Sequence, residues 1–237
     1  MKAVLFDLDN TLLIRKPTIP EKWHEVLNEA GYVVDPSDTE RAFAECEMWV
    51  GQQIRRENET GVRLSDEEFK EGVMGCCIDA LGIGREAIDI LAPIWVGKYE
   101  KTYVLSSDTV RLLEQLRGHD VKTGIVSNNR PEIRGLLEDL GLLEYFDTIV
   151  ISEEVGLYKP DPRILLYACD ALNMRPEEAL YVGDHPFDVV CAHAASVHAA
   201  WIPANKFMRL PDGTEAPLFR LQKLEELGDI LKKNTAD

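Results

Sequence analysis

Four clusters of polar residues each follow a short apolar run, and together they carry the groups one reaction needs. Asp7, Asp9 and Thr11 follow Ala3-Val4-Leu5-Phe6, and Ser127 and Asn128 follow Thr123 to Val126. Lys159 comes a few residues after Phe146 to Ile151, and Asp184 and Asp188 follow Leu180 to Val182. Carboxylates, a hydroxyl and an ammonium in this series suit phosphoryl transfer through an aspartyl phosphate. There a carboxylate nucleophile divides one difficult hydrolysis into two easier displacements. The obstacle is repulsion between an anionic carboxylate and an anionic phosphate. Mg²⁺ held by Asp7, Asp184 and the Asp9 carbonyl would offset it. Lys159 would stabilise the equatorial oxygens and the nucleophile. Ser127, Thr11 and backbone N–H groups near Asn128 would grip the same oxygens. Asp9, two residues beyond Asp7, has the reach for general acid–base work. Taken singly, each of these is equally a turn residue, a helix cap or a surface charge. Four in series, each just past a strand, point instead to a site.

The elements that must position them fall into two regions. From about Pro20 to Tyr103 no strand is expected, and four amphipathic helices are. Trp23, Val26, Leu27 and Ala30 share one face of the first; Ala42, Cys46, Trp49 and Gln53 lie along the second. Phe69, Val73, Cys76 or Cys77, and Ala80 serve the third; Ile88, Leu91, Trp95 and Tyr99 fit the fourth. These spacings of three and four are those of a helix with one apolar face. Ser65 and Glu68 form a capping box at the start of the third. After Tyr103, strands alternate with helices. Helices are expected over 107–118, from Pro131 to near Gly141, from Asp161 to about Asn173 and from about Phe187, with Leu221, Leu224, Leu227 and Leu231 marking a last one. Such alternation implies a parallel sheet covered on both faces. In an open sheet of this kind ligands bind beyond the carboxyl ends of the strands. The expected architecture is an α/β core from residues 1–15 and 104–237, with an all-helical insertion over 16–103.

Composition limits the partners. Of 237 residues, 42 are Asp or Glu and 26 are Lys or Arg, a formal charge of −16. That excess argues against nucleic acid, whose phosphates require clustered cations, and against an anionic membrane surface. A small phosphorylated metabolite stays compatible, because a bound divalent cation reverses the field locally. No apolar run approaches a membrane span, and the apolar start ends at Asp7, short of a signal peptide. Five cysteines without a repeated C-x-x-C spacing suggest reduced thiols in a cytoplasmic protein. Residues 16–102 hold 10 Lys and Arg against 18 Asp and Glu, so no broad basic face awaits a polyphosphate. Arg15 and Lys16, just after the first polar cluster, are the candidate substrate contacts there, ahead of Arg55, Arg56 and Arg63. Trp23, Trp49 and Trp95 read as core of the helical region. The expected oligomeric state is a monomer or a homodimer.

Taken together, Asp7-Leu8-Asp9-Asn10-Thr11-Leu12, Ile125-Val126-Ser127-Asn128, Gly156 to Pro162 and Tyr181-Val182-Gly183-Asp184 with Asp188 resemble the haloacid dehalogenase superfamily in order and spacing. The resemblance implies a Rossmann-like core of five or six parallel strands, with the helical cap inserted after the first strand. It implies Asp7 as nucleophile, Asp9 as acid and base, and Ser127 and Lys159 as phosphate stabilisers. It places Asp184 with Asp7 and Asp9 as Mg²⁺ ligands; Asp188 either joins them through water or orients Lys159. The family holds dehalogenases and phosphatases. A dehalogenase expels halide, which needs neither a proton nor a metal, and it usually lacks the second aspartate. Asp9 and Asp184 together therefore imply a phosphatase. A phosphomutase using the same aspartyl phosphate, and a non-catalytic phospho-ligand or protein-binding module, are the alternatives. Phe187 stands where relatives often carry Asn, and His185 where Ser is frequent.

Overall fold

The computed structural model describes residues 1–98, 102–105 and 107–234; of the expected helix positions, Tyr99 lies outside them. The described residues fall into two units. One comprises Met1–Ile14, Leu105–Ala204 and Leu210–Asp237, and the other Arg15–Val104 and Asn205–Arg209.

The first unit is built on a six-stranded sheet. Its strands are β1 (Ala3–Phe6), β4 (Lys122–Ser127), β5 (Thr148–Ile151), β6 (Ala179–Gly183), β7 (His198–Trp201) and β8 (Phe219–Arg220), in the spatial order β5-β4-β1-β6-β7-β8. Every pairing among them is parallel. All four residues of β1 are fully buried, as a central strand covered on both faces requires. Register does the positioning. Phe6 lies opposite Ile125 on one side and Val182 on the other. Asp7, Ser127 and Asp184 thus emerge at the same edge, although 120 and 57 residues of chain separate them. Helices α5 (Ser107–Gly118), α6 (Ile133–Asp139), α7 (Ser152–Val155), α8 (Arg163–Ala171), α9 (Pro186–Ala194) and α10 (Glu225–Asn234) connect or follow the strands.

The expected last helix starts late. Leu221 and Leu224 precede α10 rather than lying on it. Residues 219–220 pair with β7 instead, and the Leu221 N–H donates to the Trp201 carbonyl at 2.9 Å. A leucine every three or four residues serves a buried coil as well as a helix, and here strand pairing takes the first of them.

The second unit contains α1 (Ile19–Glu29), α2 (Pro36–Thr60), α3 (Asp66–Ala80) and α4 (Ile88–Gly97). Its core joins Trp23, Val26, Leu27, Cys46, Cys77, Ile78, Ala87 and Leu91. Thr18 and Ser65 cap α1 and α3 with reciprocal boxes to Glu21 and Glu68, which satisfies N–H groups that a helix start leaves open. Trp23 stacks on Trp95 with centroids 4.7 Å apart, and Trp49 meets Phe69 at 5.6 Å. A small sheet of β2 (Leu13–Lys16) and β3 (Thr102–Leu105) was not expected. Four-residue strands whose side chains are mostly half-exposed carry too little alternation to be read from pattern. Segment Asn205–Arg209 joins this unit by a bond from Asn205 Nδ2 to the Glu40 carbonyl (3.0 Å) and an Arg209–Glu45 ion pair (2.9 Å). No helix among the described residues is long and apolar enough to cross a membrane.

Candidate active site

The loop after β1 is pinned by apolar side chains. Leu8, Leu12 and Leu13 are fully buried. The N–H groups of Leu12 and Leu13 both donate to the Leu8 carbonyl, at 3.0 and 2.9 Å. Asn10 makes the tight turn possible by adopting φ 56°, a left-handed conformation that Asn tolerates better than most residues. Asp7 is buried at the start of this loop, its N–H bonded to the Val182 carbonyl (2.8 Å).

Lys159 is the centre of the site. Its buried Nζ donates to Asp7 Oδ1 (2.6 Å), Asp188 Oδ1 (2.8 Å) and the Tyr181 hydroxyl (2.6 Å). An ammonium has three N–H donors, so all three are engaged. Asn128 holds this lysine by its backbone: Nδ2 donates to the Lys159 carbonyl (2.9 Å), and Oδ1 accepts from the Lys159 N–H (2.8 Å). The Asn128 side chain is thus committed to positioning Lys159. Ser127 is buried at the end of β4. The Thr11 hydroxyl is buried without a hydrogen-bond partner, an arrangement that favours an incoming acceptor. Asp9 accepts from Asn129 Nδ2 at 2.9 Å.

Ligand oxygens of Asp7, Asp184 and Asp188 lie within 4.8 Å of one another, and all three residues are buried. Among the described residues this is the one such group of three, and the Asp9 carboxylate is not in it. Trp201 Nε1 fixes the Asp184 backbone through its carbonyl (2.7 Å). The one ammonium pairs with Asp7 and Asp188 while Asp184 lies beside them, so negative charge is in excess. Burial pushes the Asp7 carboxyl up to about 7; Lys159 opposes the rise, and Asp188 and Asp9 reinforce it. Burial works against the Lys159 charge too, but Asp188 and Asp7 outweigh it and hold the ammonium above its ordinary range. Burial and the Asp188 and Asp7 charges keep the Tyr181 phenol neutral. A hard, buried, oxygen-only donor set with surplus negative charge fits a divalent cation such as Mg²⁺.

The raised Asp7 carboxyl has a consequence for the metal-free protein. Its folded state holds a proton that the unfolded chain has already released, so folding stability must fall as pH rises toward 7. The carboxylates held low by partners, such as Glu178 at about 2, act oppositely and only at lower pH. In EDTA, the Tm of the wild type should decline between about pH 5 and 7 relative to Asp7→Asn. Parallel pH profiles for the two proteins would reject the assignment.

Two residues that pattern alone did not single out matter here. Tyr181 reads as an ordinary core aromatic of β6, yet its hydroxyl accepts from Lys159 and donates to the Val126 carbonyl (2.9 Å). Gly183 is required by close approach: a Cβ there would collide with the Asp188 carboxylate. That carboxylate cannot yield freely, because Lys159 and the His185 N–H (3.1 Å) hold both its oxygens. Gly183→Ala should therefore displace Asp188 and lower kcat roughly 10²-fold. Unchanged kcat in a folded variant would contradict this. His185 caps α9, its Nδ1 accepting from the Phe187 N–H at 3.2 Å, and Phe187 is buried beside it. Arg15 and Lys16 belong to the helical unit. There Lys16 pairs with Glu21 (3.3 Å), and Arg15 Nε is buried without a hydrogen-bond partner.

Comparison with known proteins places the chain among relatives. Residues 4–202 match the family model described as haloacid dehalogenase-like hydrolase. The chain is 28% identical to the glyceraldehyde 3-phosphate phosphatase of Methanopyrus kandleri over the whole of both chains. It is 27% identical to phosphoglycolate phosphatase 1 of Pseudomonas aeruginosa, covering 95% of this chain and 78% of that one. Among solved structures, a HAD phosphatase from Thermococcus onnurineus superposes with a TM-score of 0.56 at 27% identity, covering 98% of each chain.

Proposed function

The chain belongs to the haloacid dehalogenase-like hydrolase family, and from that premise we propose that it is a cytoplasmic, Mg²⁺-dependent phosphatase acting on a small phosphomonoester through an aspartyl phosphate on Asp7. One observation carries the reading: three buried aspartates gathered about a single buried lysine, with charge left over for a divalent cation. The phosphatases among its relatives support it, and so does Asp9, which a halide leaving group would not need.

Asp7, Asp184 and the Asp9 carbonyl would hold Mg²⁺ in this reading, and Asp188 would support that cluster while it orients Lys159. When bound, the ion neutralises charge between carboxylate and phosphate. The substrate phosphoryl group sits between Asp7 and the donors around it. Thr11, Ser127 and the Asn128 N–H bind its equatorial oxygens, and Lys159 balances their growing charge. Asp7 attacks phosphorus while protonated Asp9 gives its proton to the departing alkoxide. Asp9, now a carboxylate, takes a proton from water, and that water attacks phosphorus to release phosphate and restore Asp7. Asn129 Nδ2 steadies Asp9 for both steps.

Phosphate release across about a hundred phosphorylated metabolites, with Mg²⁺ and with EDTA, tests this, alongside halide release from 2-haloacids. Mg²⁺-dependent phosphate release from a subset is expected. Halide release alone, or no turnover of any compound, would overturn the reading.

A further inference from the structure

Three of the five cysteines lie in the helical unit, and their arrangement is separate from the site above. Cys46 on α2 places its sulfur 2.7 Å from that of Cys77 on α3 and 3.3 Å from the Val73 carbonyl. Cys76 directly precedes Cys77 on α3. Cys46 thus faces Cys77 directly, and Cys76 is the chain neighbour of that pair. Cys46 and Cys77 are buried, while Cys76 is half-buried. Cys76 lines a cleft of about 470 Å³ with Glu45, Trp49, Gly72, Asp79 and Arg85. The cleft gives a small reagent a route to Cys76, next to the buried Cys46–Cys77 pair. Cys191, in the other unit, instead bonds the Asp161 carbonyl at 3.5 Å.

We propose that Cys46 and Cys77 form a thiol–disulfide modification site, which a low-molecular-weight disulfide such as oxidised glutathione enters through Cys76. The Cys76 thiolate attacks one sulfur of the small disulfide, forming a mixed disulfide and releasing one small thiolate. The Cys46 thiolate then attacks the Cys76 sulfur, and the second small thiolate leaves. The Cys77 thiolate attacks the Cys46 sulfur and returns Cys76 to a thiol. In sum, two protein thiols lose two electrons, the small disulfide gains them as two thiols, and the two protons pass to those products. The bridge joins α2 to α3 within the core of the helical unit, and an excess of small thiol reverses it.

The neighbouring Cys46 thiol, burial and the Glu45 and Asp79 carboxylates hold the Cys76 thiol above its ordinary range. The exchange is therefore slow at neutral pH, and is best followed at about pH 8.5. Native protein is incubated with oxidised glutathione, quenched with an alkylating agent, digested without reduction and mapped by mass spectrometry. A cross-linked peptide joining Cys46 to the Cys76–Cys77 segment is expected, with Cys169 and Cys191 alkylated only after unfolding. Dithiothreitol should restore the free thiols. Cys76→Ser should keep the cross-link but form it several-fold more slowly. Cys77→Ser should stop at a Cys46–Cys76 bridge. Recovery of all three residues as free thiols from the wild type, or cross-links only between chains, would overturn the proposal without need of any variant. Absence of the cross-link in folded Cys76→Ser would overturn the assignment of Cys77 as the final partner.

Discussion

Asp7→Asn is expected to remove phosphate release almost entirely, by on the order of 10⁵-fold, while leaving the protein folded. An amide has nearly the shape of the carboxylate but lacks the nucleophilic oxygen, so no aspartyl phosphate forms. Its effect on stability should run the other way. Asp7 is a buried carboxylate pushed up to about 7 by burial and by Asp188, with Lys159 opposing. Neutralising it relieves that burden in metal-free protein, so Tm near neutral pH should hold or rise. A folded, unimpaired Asp7→Asn enzyme would show that another group attacks phosphorus. A variant that fails to fold would show that the Asp7–Lys159 pair is first of all structural.

Lys159→Met is expected to impair both activity and stability. Methionine fills much of the lysine volume but leaves the Asp7 and Asp188 carboxylates facing each other without a cation. Removing one partner of a buried pair costs about 3–5 kcal/mol, mostly because the other charge stays buried and uncompensated. Turnover should fall ~10²–10³-fold through loss of charge balance on the transferring group. Lys159→Arg should not restore it, because a planar guanidinium cannot reproduce three donors converging on Asp7, Asp188 and Tyr181 within a closed site. Chemical denaturation and steady-state kinetics on the two variants check both parts. A loss of turnover without loss of stability would mean that the buried pairing contributes little to folding.

The two variants differ in a way the sequence makes legible. Asp7, Ser127 and Asp184 stand at or just past the ends of parallel strands, which finish at one edge, so their gathering is legible in the sequence; Lys159 comes only after β5 and α7. The fold of the core follows from the same alternation. Side-chain partnerships were harder to read, because they cross between segments distant in the chain. Asn128 reads as a ligand for substrate, yet its side chain clamps the Lys159 backbone 31 residues away. Tyr181 carries no mark of polarity in a strand otherwise apolar, so its hydroxyl contact with Lys159 emerges only from three dimensions. Gly183 stands in a turn-like Gly-Asp step, while its real constraint is the Asp188 carboxylate packed against its bare Cα. The Cys46–Cys77 contact is of the same kind, since periodicity puts each on a buried face but does not say which face meets which. Where local pairing competes with periodicity, as at Leu221, the sheet edge decides.

The central claim is that Asp7 carries the phosphoryl group. It is tested most directly in Asp9→Asn, where breakdown of the phosphoenzyme should be slowed. The variant is mixed with Mg²⁺ and a substrate found in the metabolite screen, quenched in acid within one turnover, reduced with borohydride and mapped by mass spectrometry. Homoserine at position 7, and at no other aspartate, is the expected result, because borohydride reduces an aspartyl phosphate but not a free carboxylate. Phosphate released in the same turnover from a protein whose Asp7 stays unmodified would contradict it.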